Sequence, residues 1–261
     1  MTNQASSTPY SRLRRNVPTA VEATRPVFAD MTVERLPFAV RIARNTDDLN
    51  KAVKIRHVAY ARHVPEFAEQ LRAPEVADDA RGVIVLLAES KADGSPLGTM
   101  RVQTNQYGPL SVEQSVILPP SLQNRSIAEA TRLGIAQGHG GRLVKTALFK
   151  AFYEFCLRNK VNSMLATGRA PIDRQYEQLM FNDIGPGKAY IPLLHVGNLP
   201  HRVMTLDVQS VEPLWSATKH PLYNFFFRTH HPDIDTDADK APRATMRPDE
   251  SQADPVVSTV H

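Results

Sequence analysis

Residues 127–135 read I-A-E-A-T-R-L-G-I, a run with the composition of a buried strand that nevertheless carries a carboxylate and a guanidinium three positions apart. Charge in such a place is costly unless it is paired or used. Glu129 is a candidate general base, since a carboxylate within hydrogen-bond reach, directly or through a water, can take the proton of an attacking amine. Arg132 belongs with Arg56 and Arg101 as a guanidinium able to grip a carboxylate in a bidentate fork. Strict strand alternation places Glu129, Thr131, Leu133 and Ile135 on one face and Arg132 with Ala128 and Ala130 on the other. The two charges are therefore expected to have separate tasks, with Arg132 organising Asp79 or the acceptor site from behind. Gly134 makes a bend near 132–134 cheap, and a bulged strand there frees a backbone N–H that suits an oxyanion.

A second constellation follows directly. Gln137 to Arg142 reads Q-G-H-G-G-R and precedes a strongly amphipathic stretch. Backbone N–H groups of such a turn, with a helix dipole behind them, suit a phosphate, so Gly138, Gly140, Gly141, Arg142 and Lys145 form a candidate phosphate or pantetheine cradle. Arg142, Lys145 and Lys150 together offer a basic face for an acidic partner. Cys156, within A-F-Y-E-F-C-L and with no histidine at useful spacing, reads as core. His230 and His231 with Asp233 and Asp235 read as a solvated tail rather than a metal site. His195 and His201 flank a G-N-L-P turn and read as loop residues, with either able to line a cleft.

Positioning these groups requires a mixed scaffold. Phe38 to Ala43 has strand character, and Thr46-Asp47-Asp48 supplies an N-cap and acidic first turn for a helix through Ala61. On that helix Leu49, Val53, Arg56 and Tyr60 share a stripe, so Arg56 needs a partner or a ligand. Residues 82–89 and 97–103 predict a β-hairpin, 127–135 a further strand and 143–159 a helix. A strand over 163–166, a helix over 172–182, strands over 189–194 and 201–208, and a helix over 212–226 complete the reading. The order predicts an α/β domain with a mixed, partly antiparallel central sheet flanked by helices. The domain is expected over 37–230. Residues 1–36 and 231–261, rich in Ser, Thr, Pro and Asp without a period, are expected to be disordered tails.

Composition narrows the function classes. The 261 residues carry a formal net charge of +4 with the basic residues dispersed, which argues against nucleic acid as a partner. No apolar run approaches the ~20 residues that cross a bilayer, and no apolar leader opens the chain, so a cytoplasmic protein is expected. The single cysteine excludes an internal disulfide.

Taken in order, the charged positions form a pattern: I-R-H-V-A-Y (Arg56, Tyr60), A-D-D-A (Asp78, Asp79), G-T-M-R-V (Arg101), then E-A-T-R-L (Glu129, Thr131, Arg132). This pattern, with the later G-N-L-P-H-R-V-M-T-L-D-V, resembles the acyl-homoserine-lactone (autoinducer) synthases and, more closely, the bacterial N-acyl-amino-acid synthases that share their fold. The turn at 137–142 is similar to the pantetheine-binding turn of the acyl-CoA N-acyltransferases, with Arg142 where a small residue is usual. The resemblance implies the acyl-CoA N-acyltransferase (GNAT) fold and transfer of a long-chain acyl group from a thioester to the α-amine of an amino acid. No tightly bound cofactor is implied. The co-substrate would be acyl-CoA or the phosphopantetheine of an acyl-carrier protein, the latter also the expected protein partner. Glu129 and Arg132 would be catalytic, and Arg56, Tyr60, Asp78, Asp79, Arg101 and Thr131 would bind substrate. Met164, Leu179, Met180 and Phe181 are candidates for an acyl slot. Lactone synthases carry a tryptophan soon after the first helix, whereas Trp215 lies near the other end of this chain. The alternatives are a lactone synthase, an acetyl-CoA-dependent acetyltransferase, or a non-catalytic acyl- or carrier-binding module.

Overall fold

In the computed structural model, residues 31–138 and 140–237 are described. The elements in chain order are β1 (Thr32–Val33), β2 (Phe38–Ile42), α1 (Thr46–Ala61), α2 (Pro65–Ala68), β3 (Val83–Ser90), β4 (Pro96–Thr104), β5 (Ile127–Ile135) and α3 (Gly141–Arg158). They continue as β6 (Ser163–Gly168), α4 (Asp173–Gln178), β7 (Asn182–Asp183), β8 (Ile191–Leu193), β9 (Leu199–Asp207), α5 (Val211–Ala217), β10 (Thr229–His230) and β11 (Ile234–Asp235).

The main sheet has the order β11-β2-β3-β4-β5-β6-β9-β7, with β8 added on β9. Only β5/β6 and β11/β2 pair in parallel within it. A mixed α/β architecture with a mostly antiparallel sheet is therefore present, as the pattern of elements predicts.

The run V-I-V-L-L-A of β3 is apolar on both faces because both faces are covered. Val85 and Leu87 pack with Leu49, Ala52 and Val53 of α1. Leu86 and Ala88 pack instead with Ala147, Leu148, Ala151 and Phe152 of α3 in the larger core, which also takes Cys156. Asn45, rather than Thr46, caps α1 by accepting the Asp48 N–H at 2.9 Å. Phe67, Leu110, Val112, Leu165, Leu193 and Val203 form a further apolar cluster beneath the loops that bound the site.

Several expectations are corrected. The ordered domain extends past 37–230 at both ends: β11 pairs with β2, and Leu36, His231 and Asp233 are buried. The solvated-tail reading of His231 and Asp233 fails because Lys150 donates to His231 Nδ1 at 2.9 Å while Lys91 and Arg35 hold Asp233. Residues 1–30 and 238–261, the remainder of the two expected tails, lie outside the described residues. The helix expected over 172–182 stops at Gln178, with Met180 at φ 64°. The helix expected over 212–226 breaks at Thr218 and Lys219, the latter at φ 52°, and resumes as a wide turn over Asn224–Arg228.

The feature that shapes the site is a bulge in β5. Arg101 pairs with Thr131 but Thr99 pairs with Gly134, so Arg132 and Leu133 together face the single residue Met100. Arg132 takes φ 54°, a left-handed conformation that non-glycine residues adopt only when their surroundings hold them there. Beside it α1 crosses so closely that a Cβ on Gly134 would lie 3.1 Å from Arg56 Cα and 3.3 Å from Ile55 O. Both are backbone atoms, which cannot rotate aside. Gly134→Ala is expected to destabilise the fold by about 1–3 kcal/mol, read from the denaturant midpoint; an unchanged midpoint would show that α1 and β5 can separate freely.

Candidate active site

The bulge turns Arg132 toward the face that carries Thr131 and Arg101, contrary to the alternation expected from sequence. Arg132 donates from Nε and Nη2 to the two oxygens of Glu75, each at 2.7 Å, and from Nη2 to the His195 carbonyl at 3.0 Å. Glu75 also accepts from Arg56 at 3.0 Å and Arg101 at 3.2 Å. Asp78, completely buried, accepts a bidentate pair from Arg56 at 2.9 and 3.0 Å, and Arg101 reaches it at 3.4 Å. Arg101 Nε completes the cluster by donating to Thr131 Oγ1 at 3.1 Å.

Three guanidiniums against two carboxylates leave one positive charge uncompensated within the network. Burial pushes Glu75 upward, but the hydrogen bond and charge of Arg132, then Arg101 and Arg56, outweigh it and hold the carboxyl below its usual range. Burial acts likewise on Asp78, and Arg56 outweighs it. Arg101 is lowered by its burial and by the neighbouring Arg132.

Asp79, expected as the partner of Arg132, is exposed at the surface; Glu75 takes that role. Glu75 escaped the sequence reading, although its place three residues before Asp78 was a usable signal, since its backbone N–H is capped by Asp78 at 2.9 Å.

Strands β5 and β6 pair from Ile127/Ser163 only as far as Ala130/Ala166. Beyond that point lies a cavity of about 460 Å³. Its walls include Thr131, Arg132, Leu133 and Ile135 of β5, the segment Thr167–Ile172 that begins in β6, Gly141, Arg142 and Lys145 at the start of α3, and Tyr60 near the end of α1. Phe67, Met100, Val196 and Leu199 supply apolar surface, and Arg62, His63, Arg169, His195 and His201 supply polar surface. No Asp or Glu lines it among the described residues. Lys145 donates to Gln175, and its burial lowers its pKa, with Arg142 adding to the effect.

The expected site residues divide accordingly. Tyr60, Thr131, Arg132, Gly141, Arg142 and Lys145 line the cavity. Arg56, Arg101 and Asp78 do not; they form the buried support beneath it. Gly138 and Gly140 lie exposed in the turn before α3 at φ 127° and 99°, where a side chain would be strained although space is open. Lys150 is 1% exposed, held by the carbonyls of Phe225 and Thr229, so it offers nothing to a docking partner. Met164 and Phe181 are core residues, Leu179 packs on that core, and Met180 borders a different hollow, so the acyl slot expected there is absent among the cavity's walls.

Glu129 is completely buried and does not reach the cavity surface. Desolvation raises its pKa to about 7, opposed by the backbone N–H groups of Val112 and Ser111 and by Arg101 and Arg132. Val112 N–H donates to its Oε2 at 3.2 Å; Oε1 has no hydrogen-bond partner. His195 Nε2 lies 3.8 Å from Oε1. His195 and His201 both line the cavity, the placement that their position beside the G-N-L-P turn left open. The signal of His195 in sequence was slight: one polar side chain within I-P-L-L-H-V.

Among known proteins, no family model matches the chain, and no curated protein matches it in sequence. Solved structures do match its fold. An N-acyl amino acid synthase from uncultured soil microbes, FeeM, superposes with a TM-score of 0.52 at 17% identity, covering 69% of this chain and 96% of that one. A CoA-dependent acyl-homoserine lactone synthase, BjaI, aligns at TM-score 0.48 and 18% identity over 74% of this chain and 93% of its own. The chain shares its fold with that N-acyl amino acid synthase.

Two outcomes follow from this geometry. Asp78→Ala strands the buried guanidinium of Arg56, and a loss of about 3–5 kcal/mol in unfolding free energy is expected; denaturant titration measures it. Glu129 has a folded pKa above its unfolded value, so the folded state binds that proton more tightly and loses stability as pH rises from the ordinary carboxylate range through about 7. Glu129→Gln should therefore raise the thermal midpoint relative to the parent more at pH 8 than at pH 5, and an equal change at both would contradict the raised pKa.

Proposed function

We propose that the protein is an N-acyltransferase that moves a long-chain acyl group from a phosphopantetheine thioester, on an acyl-carrier protein or CoA, to the α-amine of an amino acid. The observation that carries this reading is a cleft opening where β5 and β6 part, lined by Arg62, Arg132, Arg142, Lys145 and Arg169 and, among the described residues, by no carboxylate. Beside it lies a buried carboxyl that titrates near neutrality. Such a cleft favours anions at both ends of a reaction: the donor's phosphate and the acceptor's carboxylate. The start of α3 with Arg142 and Lys145 suits the phosphate. Arg132 Nη1, buried and without a hydrogen-bond partner, is an unused donor for the acceptor carboxylate. Phe67, Met100, Leu133 and Ile135 give the acyl chain an apolar wall.

In the reaction the amine nitrogen attacks the thioester carbon and a C–N bond forms. The carbonyl oxygen takes up negative charge, and a backbone N–H of the two-residue bulge at 132–133 stabilises it. Collapse breaks the C–S bond and releases the thiol. Glu129 is the acceptor of the amine proton, and a pKa near 7 suits a group that must take a proton and give it back. The shared fold with an N-acyl amino acid synthase supports the choice of acceptor. An acyl-carrier protein partner and a cytoplasmic location fit the same donor chemistry.

The test is thiol release from long-chain acyl-CoA and from the same acyl group on carrier protein, each offered with a panel of amino acids, and mass spectrometry of the products. Turnover with at least one pair is expected; none with any would reject the reading, and lactone release with S-adenosylmethionine would assign the other branch. Glu129→Gln is expected to lower kcat about 10²–10⁴-fold with thioester binding retained. Parent activity should rise through pH about 7 as Glu129 ionises, and the variant should lack that limb.

A further inference from the structure

We propose that His195 is a catalytic residue that carries the proton between the acceptor amine and Glu129, an inference that rests on the acyl-transfer reading of the same cleft. Glu129 is buried without access to the cavity, whereas His195 lines it. A base that cannot touch its substrate needs an intermediary, and His195 is a cavity-lining residue whose imidazole faces Glu129. Its Nε2 lies 3.8 Å from Glu129 Oε1, and these two atoms, with His195 Nδ1, are all buried without a hydrogen-bond partner. Three orphaned polar atoms in a row are costly as a structural device. They become useful once a substrate nitrogen supplies the missing contact and draws the pair into hydrogen-bond range, as catalytic contacts tighten on binding.

The imidazole is held by its own backbone. His195 O accepts from Arg132 Nη2, Leu194 N–H donates to Ser115 Oγ at 2.8 Å, and Asn198 N–H donates to Leu193 O at 2.9 Å, closing the turn. Gly197 at φ 72° permits that turn and sits against Phe67. The charged and titratable groups around the ring are Arg132 and Glu129 of β5, Arg101 of β4, His201 of β9 and Glu75. Burial first, then the positive charge of Arg132, lowers the His195 pKa to about 4, so the ring is neutral at working pH and free to accept.

Proton balance closes around the cycle. As the C–N bond forms, Nδ1 takes one proton from the amine while the Nε2 proton passes to the Glu129 carboxylate, leaving a neutral imidazole in its other tautomer. As the C–S bond breaks, Nδ1 gives its proton to the departing sulfur and Glu129 returns its proton to Nε2. Thiol and amide leave, and both side chains are restored.

The experiment uses the full chain with the thioester and amino acid that the parent turns over. His195→Gln is expected to lower kcat at least 100-fold with KM for the thioester within about twofold, and imidazole added to His195→Ala should restore at least tenfold of the lost rate. Because a destabilised variant could mimic the loss, nitrogen-15 imidazole spectra of the substrate-free parent and of Glu129→Gln are compared as well, and the His195 nitrogen resonances should shift. A His195→Gln variant within threefold of the parent overturns the relay, as does an unrescued His195→Ala or an unchanged spectrum, while loss in Glu129→Gln would leave the acyl-transfer reading standing. Absence of turnover by the parent would fail that reading itself, and the relay with it.

Discussion

The buried ionic cluster of Arg56, Arg101 and Arg132 with Glu75 and Asp78 is the constraint on which the site depends. Ion pairs of this kind contribute little net stability compared with well-packed apolar groups, because desolvating five charges offsets much of their mutual attraction. Their effect is geometric. Asp78 locks Arg56 against Arg101, tying α1 to β4, and Glu75 receives a guanidinium from α1, β4 and β5 at once. With Arg132 so held, its left-handed backbone is tolerated and the bulge in β5 persists. The bulge in turn lies where the strands part and the cleft opens.

That arrangement separates two electrostatic environments within a few ångströms. One is saturated with positive charge and faces the cavity, where anionic groups of a donor and an acceptor would be stabilised. The other, around Glu129 and His195, is buried and sparse in hydrogen bonds, so the carboxyl is raised toward neutrality and the imidazole is kept uncharged. The two shifts cross, so at neutral pH a proton shared by the pair rests on the carboxyl rather than on the imidazole. The same burial that makes a charged Glu129 costly to the fold raises its affinity for a proton.

Much of this was legible in the chain. The period-two and period-3.6 patterns located β2, α1, the β3–β4 hairpin, β5 and α3, because each buries a face against a partner and its residues must alternate accordingly. Boundaries failed where local chemistry outweighed pattern. Met180 and Lys219 adopt positive φ and end helices that hydrophobicity would continue. His231 and Asp233 sit in a polar stretch that composition marks as tail, yet the buried Lys150 pairs with the first and the exposed Lys91 with the second, and such long-range partners leave no trace in local composition.

The order of the charged residues, from Arg56 to Arg132, was enough by itself to call for a buried set of paired charges on a mixed sheet, because isolated charges in apolar strands and helices must be paired or used. Which residues meet was decided only by tertiary structure. A single extra residue opposite Met100 moved Arg132 across the strand and exchanged Asp79 for Glu75 as its partner. Glu129 was identifiable from its type and neighbours; that it lies behind His195, from a turn 66 positions later, depends on how β5 and the segment before β9 pack. Periodicity describes a regular strand, and the site is built at the place where the strand is irregular.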